Sequence, residues 1–132
     1  MREIEVKTSK EFEIVDITHS IEEIVKESGV KEGIAVIFTK HTTTSLIINE
    51  NEPRLLRDIE RLFKGLVPKE GRYAHNSIDR NAHSHLRAIL MNPSLTVPIE
   101  DGKLFLGTWQ SILFIELDGP RIRKVLVKIC EC

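Results

Sequence analysis

The sequence has few cysteines, few aromatic residues and no long apolar run. Its only two cysteines, Cys130 and Cys132, stand at the end of the chain, where we interpret them as incidental rather than as a disulfide or metal site. Residues 1–6 lack the apolar core of a signal peptide. The longest apolar runs, 34–38 and 112–115, are far too short to cross a bilayer. The sequence therefore predicts a cytoplasmic protein with no membrane partner.

Net charge is almost absent as well. Lys and Arg number 19 against 20 Asp and Glu, which leaves a formal charge of -1. Without a broad basic surface we expect no nucleic-acid partner, although a few local cations suffice for a small anionic ligand. Hydrophobic residues make up 41% of the chain, as in ordinary globular proteins. No linker, repeat or boundary divides the sequence, so we predict a single domain over residues 1–132.

The N-terminal part predicts two strands and a short helix. Segments 3–7 and 12–17 contain alternating apolar positions, and their proximity suggests an antiparallel hairpin. Ser20 and Glu23 have the spacing of a capping box, and Gly29 is suited to end the helix that follows.

The rest of the chain predicts two more helices among strands. Apolar residues recur at helical spacing over 55–66, and Pro53 just before them suits the first turn of a helix. A loop is predicted over 69–80, followed by a shorter helix from Asn81 to Met91. The remaining strands are predicted at 33–38, 42–48, 95–99, 103–106, 112–117 and 122–129. This order predicts an α+β fold with largely antiparallel, sandwich-like β-sheets and two or three short helices.

Four of the five histidines lie between residues 41 and 85. His41 directly follows an apolar strand and is followed by hydroxyl residues, including Thr42 and Ser45, which can donate hydrogen bonds to an anion. Neutral imidazoles with a carboxylate or water are plausible ligands for Zn²⁺. A histidine held by Asp79 would instead serve as a general base. The spacing alone leaves both kinds of site open.

The His-x-His segment needs a geometric interpretation. In a strand His83 and His85 would face the same side, whereas in a helix they point about 200° apart. Because we predict a helix here, only one of them can enter the site. Asn81 and His85 are then neighbours on one helical face, which makes His85 the better candidate.

Other polar residues near the histidines suit a phosphorylated ligand. Arg72 and Arg87 are the arginines best placed to meet phosphate. Gln110, beside Trp109, can point an amide into a pocket. Arg121 and Arg123 alternate with Ile122, so we interpret them as the solvated side of an edge strand.

Five segments together resemble the YjbQ-like family. They are His41–Glu50, Tyr73–Asn76, Asn81–Leu86, Pro93–Pro98 and Gly107–Gln110, and they occur in the family's order over nearly the whole chain. The resemblance implies a compact α+β fold with antiparallel sheets and a homotrimer. It also implies a secondary thiamine-phosphate synthase activity, which couples a hydroxymethylpyrimidine diphosphate to a thiazole phosphate and releases pyrophosphate.

The resemblance also implies a site. It carries the family's polar positions to His41, Glu50, His75, His85, Trp109 and Gln110. We expect His41, Glu50 and His85 to be catalytic, and His41, His75 and His85 to bind a divalent metal ion, Zn²⁺ or Mg²⁺. The residues expected to bind substrate are Thr42, Ser45, Arg72, Asn76, Asn81, Arg87, Trp109 and Gln110. The family often has adjacent acidic residues where this chain has Asp79-Arg80-Asn81. If a second carboxylate normally binds the ion in the family, we expect the site of this chain to bind metal more weakly or to select a different metal.

Three functions fit these residues. The first is an enzyme in which a divalent ion and arginines stabilise a pyrophosphate leaving group. The second is a non-catalytic oligomer that binds a metal or a small phosphorylated metabolite. The third is a metal-dependent hydrolase of another small substrate.

Overall fold

The computed structural model describes all residues from Met1 to Cys132, which form eight strands and three α-helices. The strands are β1 (Arg2–Lys7), β2 (Glu13–Asp16), β3 (Gly33–Thr39), β4 (Thr44–Asn49), β5 (Ser94–Glu100), β6 (Lys103–Leu104), β7 (Ser111–Glu116) and β8 (Ile122–Glu131). The helices are α1 (Thr18–Ser28), α2 (Pro53–Leu66) and α3 (Ala82–Ile89), and a 3-10 turn covers Ala74–Ser77. None of the helices has the length and apolar character needed to span a membrane.

The strands form two antiparallel sheets. The larger sheet has the order β1-β8-β3-β5-β6, and the smaller has the order β2-β7-β4. β3 pairs with strands on both sides, and Ala35 and Ile37 on one of its faces are fully buried. The predicted α+β fold with antiparallel sheets is confirmed.

The smaller sheet is the middle layer of the molecule. Leu46 and Phe114 point from it into the main core, which it shares with the larger sheet and α1. Their neighbours Ile47 and Ile115 face the opposite way and pack near Ala88 of α3. The strands β4 and β7 are therefore covered on both faces, and α3 lies on the outer one.

The predicted hairpin between the first two strands is wrong. β1 pairs with β8 in the larger sheet, whereas β2 pairs with β7 in the smaller sheet. Alternation of apolar residues identifies the buried face of a strand but not its partner. The intervening residues carry the chain from one sheet to the other.

For α1, the sequence predicted the C-terminal end correctly but not the cap at the N-terminal end. Gly29 ends α1 in the left-handed conformation, with φ of 72°, as expected. The capping box, however, is not formed, because α1 begins at Thr18 and Ser20 lies inside its first turn. Asp16 accepts hydrogen bonds from the Thr18 amide and hydroxyl instead.

The interpretation of β8 as an edge strand is also wrong. β8 lies between β1 and β3, and Arg123 is only 5% exposed. Arginine alternating with apolar residues is typical of the exposed side of an edge strand. The sequence alone does not show that a buried acid pairs with the arginine.

Candidate functional site

An open cleft of about 490 Å³ lies where three connections of the chain meet the start of α3. We call it the histidine cleft. It is bounded by the β3–β4 connection, the loop before α3, the first residues of α3 and the β7–β8 turn. Its lining residues are Lys40, His41, Thr42, Thr43, His75, Ile78, Asp79, Asn81, His85, Asp118, Arg121 and Arg123.

The cleft brings together three of the four clustered histidines. His41, His75 and His85 line it, with Thr42, Asp79 and Asn81. His83 does not, because α3 turns it to the opposite face, where it is 2% exposed. The helical interpretation of the His-x-His segment is therefore confirmed by the positions of both rings.

His41 is held in one tautomer by the backbone. Its Nε2 lies 3.1 Å from the amide nitrogen of Lys124, and an amide can only donate a hydrogen bond. Burial lowers the pKa of His41, as does the neighbouring Arg123 guanidinium, and the Glu116 carboxylate opposes this effect. The ring is therefore neutral near pH 7, and its proton is on Nδ1.

A line of hydrogen bonds orients His75. The amide nitrogen of Asn81 donates to Asp118 at 3.0 Å, which leaves the Asn81 Oδ1 facing His75 Nε2 at 3.1 Å. Because Oδ1 can only accept, the Nε2 of His75 carries the proton. The Nδ1 of neutral His75 then has a free lone pair.

His85 packs against His75. The two ring centroids are 4.9 Å apart, and the ring planes meet at 78°, an edge-to-face arrangement. Two buried hydroxyls join α3, and with it His85, to β4 and to the residue that follows β7. Ser84 donates to the carbonyl of Leu117 at 2.6 Å, and Ser45 donates to the carbonyl of Ala88 at 2.8 Å.

A buried ion pair supports the floor of the cleft. The Arg123 Nε and Nη2 donate to the two Glu116 oxygens at 2.9 and 2.6 Å, and the Arg123 Nη2 also donates to Thr43 at 2.8 Å. Burial alone would raise the pKa of Glu116, but hydrogen bonds from Arg123, Thr8 and the Asp118 amide outweigh it and lower the pKa. The Arg123 charge is thus compensated within the protein, and the pair contacts Thr43 through Arg123 and the Asp118 amide through Glu116.

Lys40 and Arg121 are cations of the cleft that sequence reasoning missed. Arg121 donates to the Asp118 carbonyl at 2.9 Å and to its carboxylate at 3.1 Å, which holds the guanidinium at the cleft wall. Asp118 and Arg121 flank a turn that contains a cis Gly119-Pro120 bond. The Asp118-Gly119-Pro120 sequence predicted the turn, but nothing in it indicated that its flanks would face His41.

Four residues expected to bind substrate lie elsewhere or have other partners. Ser45 is buried, and its hydroxyl is used by Ala88. Asn76 accepts a hydrogen bond from the Ala82 amide at the start of α3. Arg72 lies in an adjoining cavity on the other side of His75 and His85. Arg87 lies on the far face of α3, away from the cleft.

Glu50, Trp109 and Gln110 lie at the other end of the smaller sheet. β4 begins near His41 and ends before Glu50, so its six residues separate the two by roughly 20 Å. Gln110 accepts a hydrogen bond from the Gly107 amide at 2.8 Å, and Trp109 is 73% exposed. One chain therefore does not bring these three residues to the histidines.

The donors of one chain do not form a complete metal site. No three His, Cys, Asp or Glu side chains converge as a ligand group. The Nε2 atoms of His41 and His75 are both already engaged in hydrogen bonds. The expected Zn²⁺ or Mg²⁺ set of His41, His75 and His85 is therefore not assembled by one chain.

The fold and the cleft define a small α+β protein with one open, histidine-lined polar site. A sequence model of the family described as UPF0047 protein YjbQ-like matches residues 2–132. A UPF0047 protein of Methanothermobacter thermautotrophicus is 48% identical over 128 residues, covering 97% of this chain and 90% of the relative. The UPF0047 protein YugU of Bacillus subtilis is 36% identical, and the match covers 98% of both chains.

Solved structures agree with this assignment. A YbjQ-like protein of unknown function from Sulfolobus solfataricus superposes with a TM-score of 0.97 at 42% identity, covering 99% of this chain and 96% of that one. A YjbQ/UPF0047 protein from Clostridium acetobutylicum gives 0.94 at 46% identity, covering 98% and 100%. The chain belongs to the YjbQ-like UPF0047 family, as the five sequence motifs indicated.

Proposed function

We propose that the chain is an enzyme that binds a phosphorylated small molecule in the histidine cleft and forms thiamine phosphate from two phosphorylated precursors. The observation that carries this proposal is that Lys40, Arg121 and His41, whose Nδ1 carries the proton, all line one open cleft, with Arg121 held in place by Asp118. Hydrogen-bond donors and cations fixed before the ligand arrives are the groups that stabilise a developing phosphate charge.

The chemistry requires stabilisation of a leaving group. The bond between the exocyclic methylene carbon of the pyrimidine and the diphosphate oxygen breaks, and the oxygen keeps the electron pair. The thiazole nitrogen donates its lone pair to the same carbon, so the ring becomes cationic and pyrophosphate leaves. Lys40 and Arg121 would offset the charge of the leaving group, and His41 would donate to one of its oxygens. The His75–His85 pair would form the adjacent wall.

An assay of thiamine-phosphate formation tests this function. We expect His85→Ala and the double variant Lys40→Gln/Arg121→Gln to lower the rate by about 10²-fold or more. His19→Ala is the matched control, because this ring lies outside the cleft and its side chain is 85% exposed. Folded protein with no activity in the wild type, or equal rates in all variants, would refute the proposal.

We also propose that the site is completed in a homotrimer. Trp109 and Phe105, in the segment between β6 and β7, are 73% and 68% exposed. Ile78 in the cleft wall is 85% exposed, and Ile89 at the end of α3 is 75% exposed. Large apolar side chains exposed at two separate places fit a head-to-tail ring better than a two-fold dimer. In such a ring Glu50, Trp109 and Gln110 of one subunit would approach the histidines of the next.

Mixed oligomers test the shared site. His85→Ala inactivates the cleft and Glu50→Gln inactivates the opposite end, so each variant alone should be inactive. In a ring of three, every mixed trimer regains one complete site, and random mixing should restore about a quarter of the wild-type activity. A monomer by light scattering, or no recovery of activity after subunit exchange, would contradict the shared site. Neither result would contradict the proposal that the ligand binds in the histidine cleft.

A non-catalytic binding protein is the second candidate. It is favoured by the absence of a converged metal-ligand group and by the engaged Nε2 atoms of His41 and His75. Calorimetry with pyrophosphate separates the two candidates. Saturable binding that is lost in Lys40→Gln/Arg121→Gln, together with no turnover of the paired precursors, would favour the binding protein.

A further inference from the structure

A second cavity lies on the face of α3 opposite the histidine cleft. It has a volume of about 360 Å³, and its wall contains Glu11, Lys64, Lys69, Glu70 and Arg87. We call it the Arg87 cavity. Residues 85 and 87 point about 200° apart on a helix, so α3 presents His85 to one cavity and Arg87 to the other. The two cavities are therefore separate sites.

Arg87 is a buried cation without a carboxylate partner. The residue is 3% exposed, and its Nε donates to the carbonyl of Val67 at 2.9 Å. None of its nitrogens forms an ion pair with an acid of the chain, although its side chain lines an open cavity. Burial of an uncompensated charge is costly, and in agreement with this burial lowers the pKa of Arg87.

The acids near Arg87 are already engaged. Glu11 accepts hydrogen bonds from Lys69 and His83, each at 2.8 Å. Burial opposes the shift, but these two partners outweigh it and lower the pKa of Glu11, which keeps the carboxylate ionised. Glu60 is likewise paired with Lys64. Glu70, the other acid of the wall, is exposed to solvent.

We propose that the Arg87 cavity binds a small oxyanion, namely the carboxylate or phosphate group of a small molecule, through the terminal nitrogens of Arg87. The planar guanidinium presents paired N–H donors that match two oxygens of such a group. Of the three cations of the wall, Lys69 is paired with Glu11 and Lys64 with Glu60, so Arg87 is the one left without a carboxylate partner. This inference does not depend on the proposed activity of the histidine cleft.

Nuclear magnetic resonance of the arginine side chains tests the proposal. Inorganic phosphate and acetate are titrated separately into the protein, and the Nε–Hε signal of Arg87 is followed. We expect a saturable shift with at least one probe, with a Kd of about 1–10 mM or tighter. The probe that saturates shows whether the cavity selects phosphate or carboxylate. No saturable shift with either probe would overturn the proposal.

Variants separate this cavity from the cleft. The shift should persist in Lys40→Gln/Arg121→Gln, and its disappearance there would show that the anion binds only in the histidine cleft. Arg87→Lys keeps the charge but loses the paired donors of the guanidinium. We expect about tenfold weaker binding, followed by the backbone amide signal of Glu70, which lines the cavity. The Lys69 side chain is 53% exposed, so Lys69→Gln should weaken anion binding without disturbing the core. This variant therefore tests the site even if Arg87→Lys does not fold. Unchanged affinity in Lys69→Gln and in folded Arg87→Lys would refute the site.

Discussion

The Nε2 of His75 lies 3.1 Å from the side-chain oxygen of Asn81, and the Asn81 amide is itself oriented by Asp118. The Asp118 carboxylate can only accept a hydrogen bond, so it fixes the orientation of the Asn81 amide. The Asn81 oxygen then faces His75 and determines which nitrogen of the ring carries the proton. The free Nδ1 of His75 is a consequence of this line of hydrogen bonds.

The Asn81 side chain should therefore fix the tautomer of His75. For the neutral ring of the wild type we expect nitrogen resonances that show a proton on Nε2 and a lone pair on Nδ1. Asn81→Ala removes the acceptor, so both tautomers should then be populated. Asn49→Ala, at the far end of β4, is the control and should leave the His75 signals unchanged. A single Nδ1–H tautomer in the wild type would contradict the assignment.

The free energy of unfolding should depend on pH through the charge of His41. Because burial and Arg123 lower its pKa, we expect its titration midpoint below the ordinary value of 6.5. The unfolded chain then binds this proton more tightly than the folded chain does. The stability contributed by neutral His41 is present above about pH 6.5 and is lost as the pH falls through the lowered pKa. His41→Asn should lack this dependence in urea unfolding between pH 5 and 7, and a midpoint at or above 6.5 would contradict the prediction.

The Arg123–Glu116 pair should show strong coupling in a double-mutant cycle. The two side chains are 6% and 0% exposed, so removing one partner leaves a buried charge. We expect Arg123→Met or Glu116→Gln to cost about 3–5 kcal/mol of unfolding free energy. The double variant should cost clearly less than the sum, because neither charge is then left alone. Additive losses in urea unfolding would show that the two charges do not stabilise each other.

The local features of this fold were predictable because short sequence patterns determine them. Pro53 at the start of α2, Gly29 at the end of α1 and the helical spacing of Asn81 and His85 each depend on neighbouring residues. The pairing of β1 with β8 was not predictable in this way, because it joins residues more than 100 positions apart.

The site was predicted in part for the same reason. His41, His75 and His85 were identified by their clustering in the sequence, and the structure places all three in the cleft. Arg121 was missed because its role depends on a turn that folds back towards His41 from the other end of the chain. Arg87 was associated with the wrong cavity, although the helical period that separated His83 from His85 also separates Arg87 from His85.

A pair of glycine substitutions tests how closely β3 and β8 are packed. A Cβ at Gly33 would lie 2.1 Å from the carbonyl oxygen of Cys130, which is backbone of the neighbouring strand. Gly33→Ala must therefore push the two strands apart at their ends, and we expect a loss of about 1–3 kcal/mol. Gly65 lies inside α2, and a Cβ added there would have no neighbouring atom within 4 Å, so Gly65→Ala should instead stabilise the protein by about 0.5–1 kcal/mol. Urea unfolding of both variants measures the difference, and equal effects would mean that the backbone of β8 does not approach Gly33 closely.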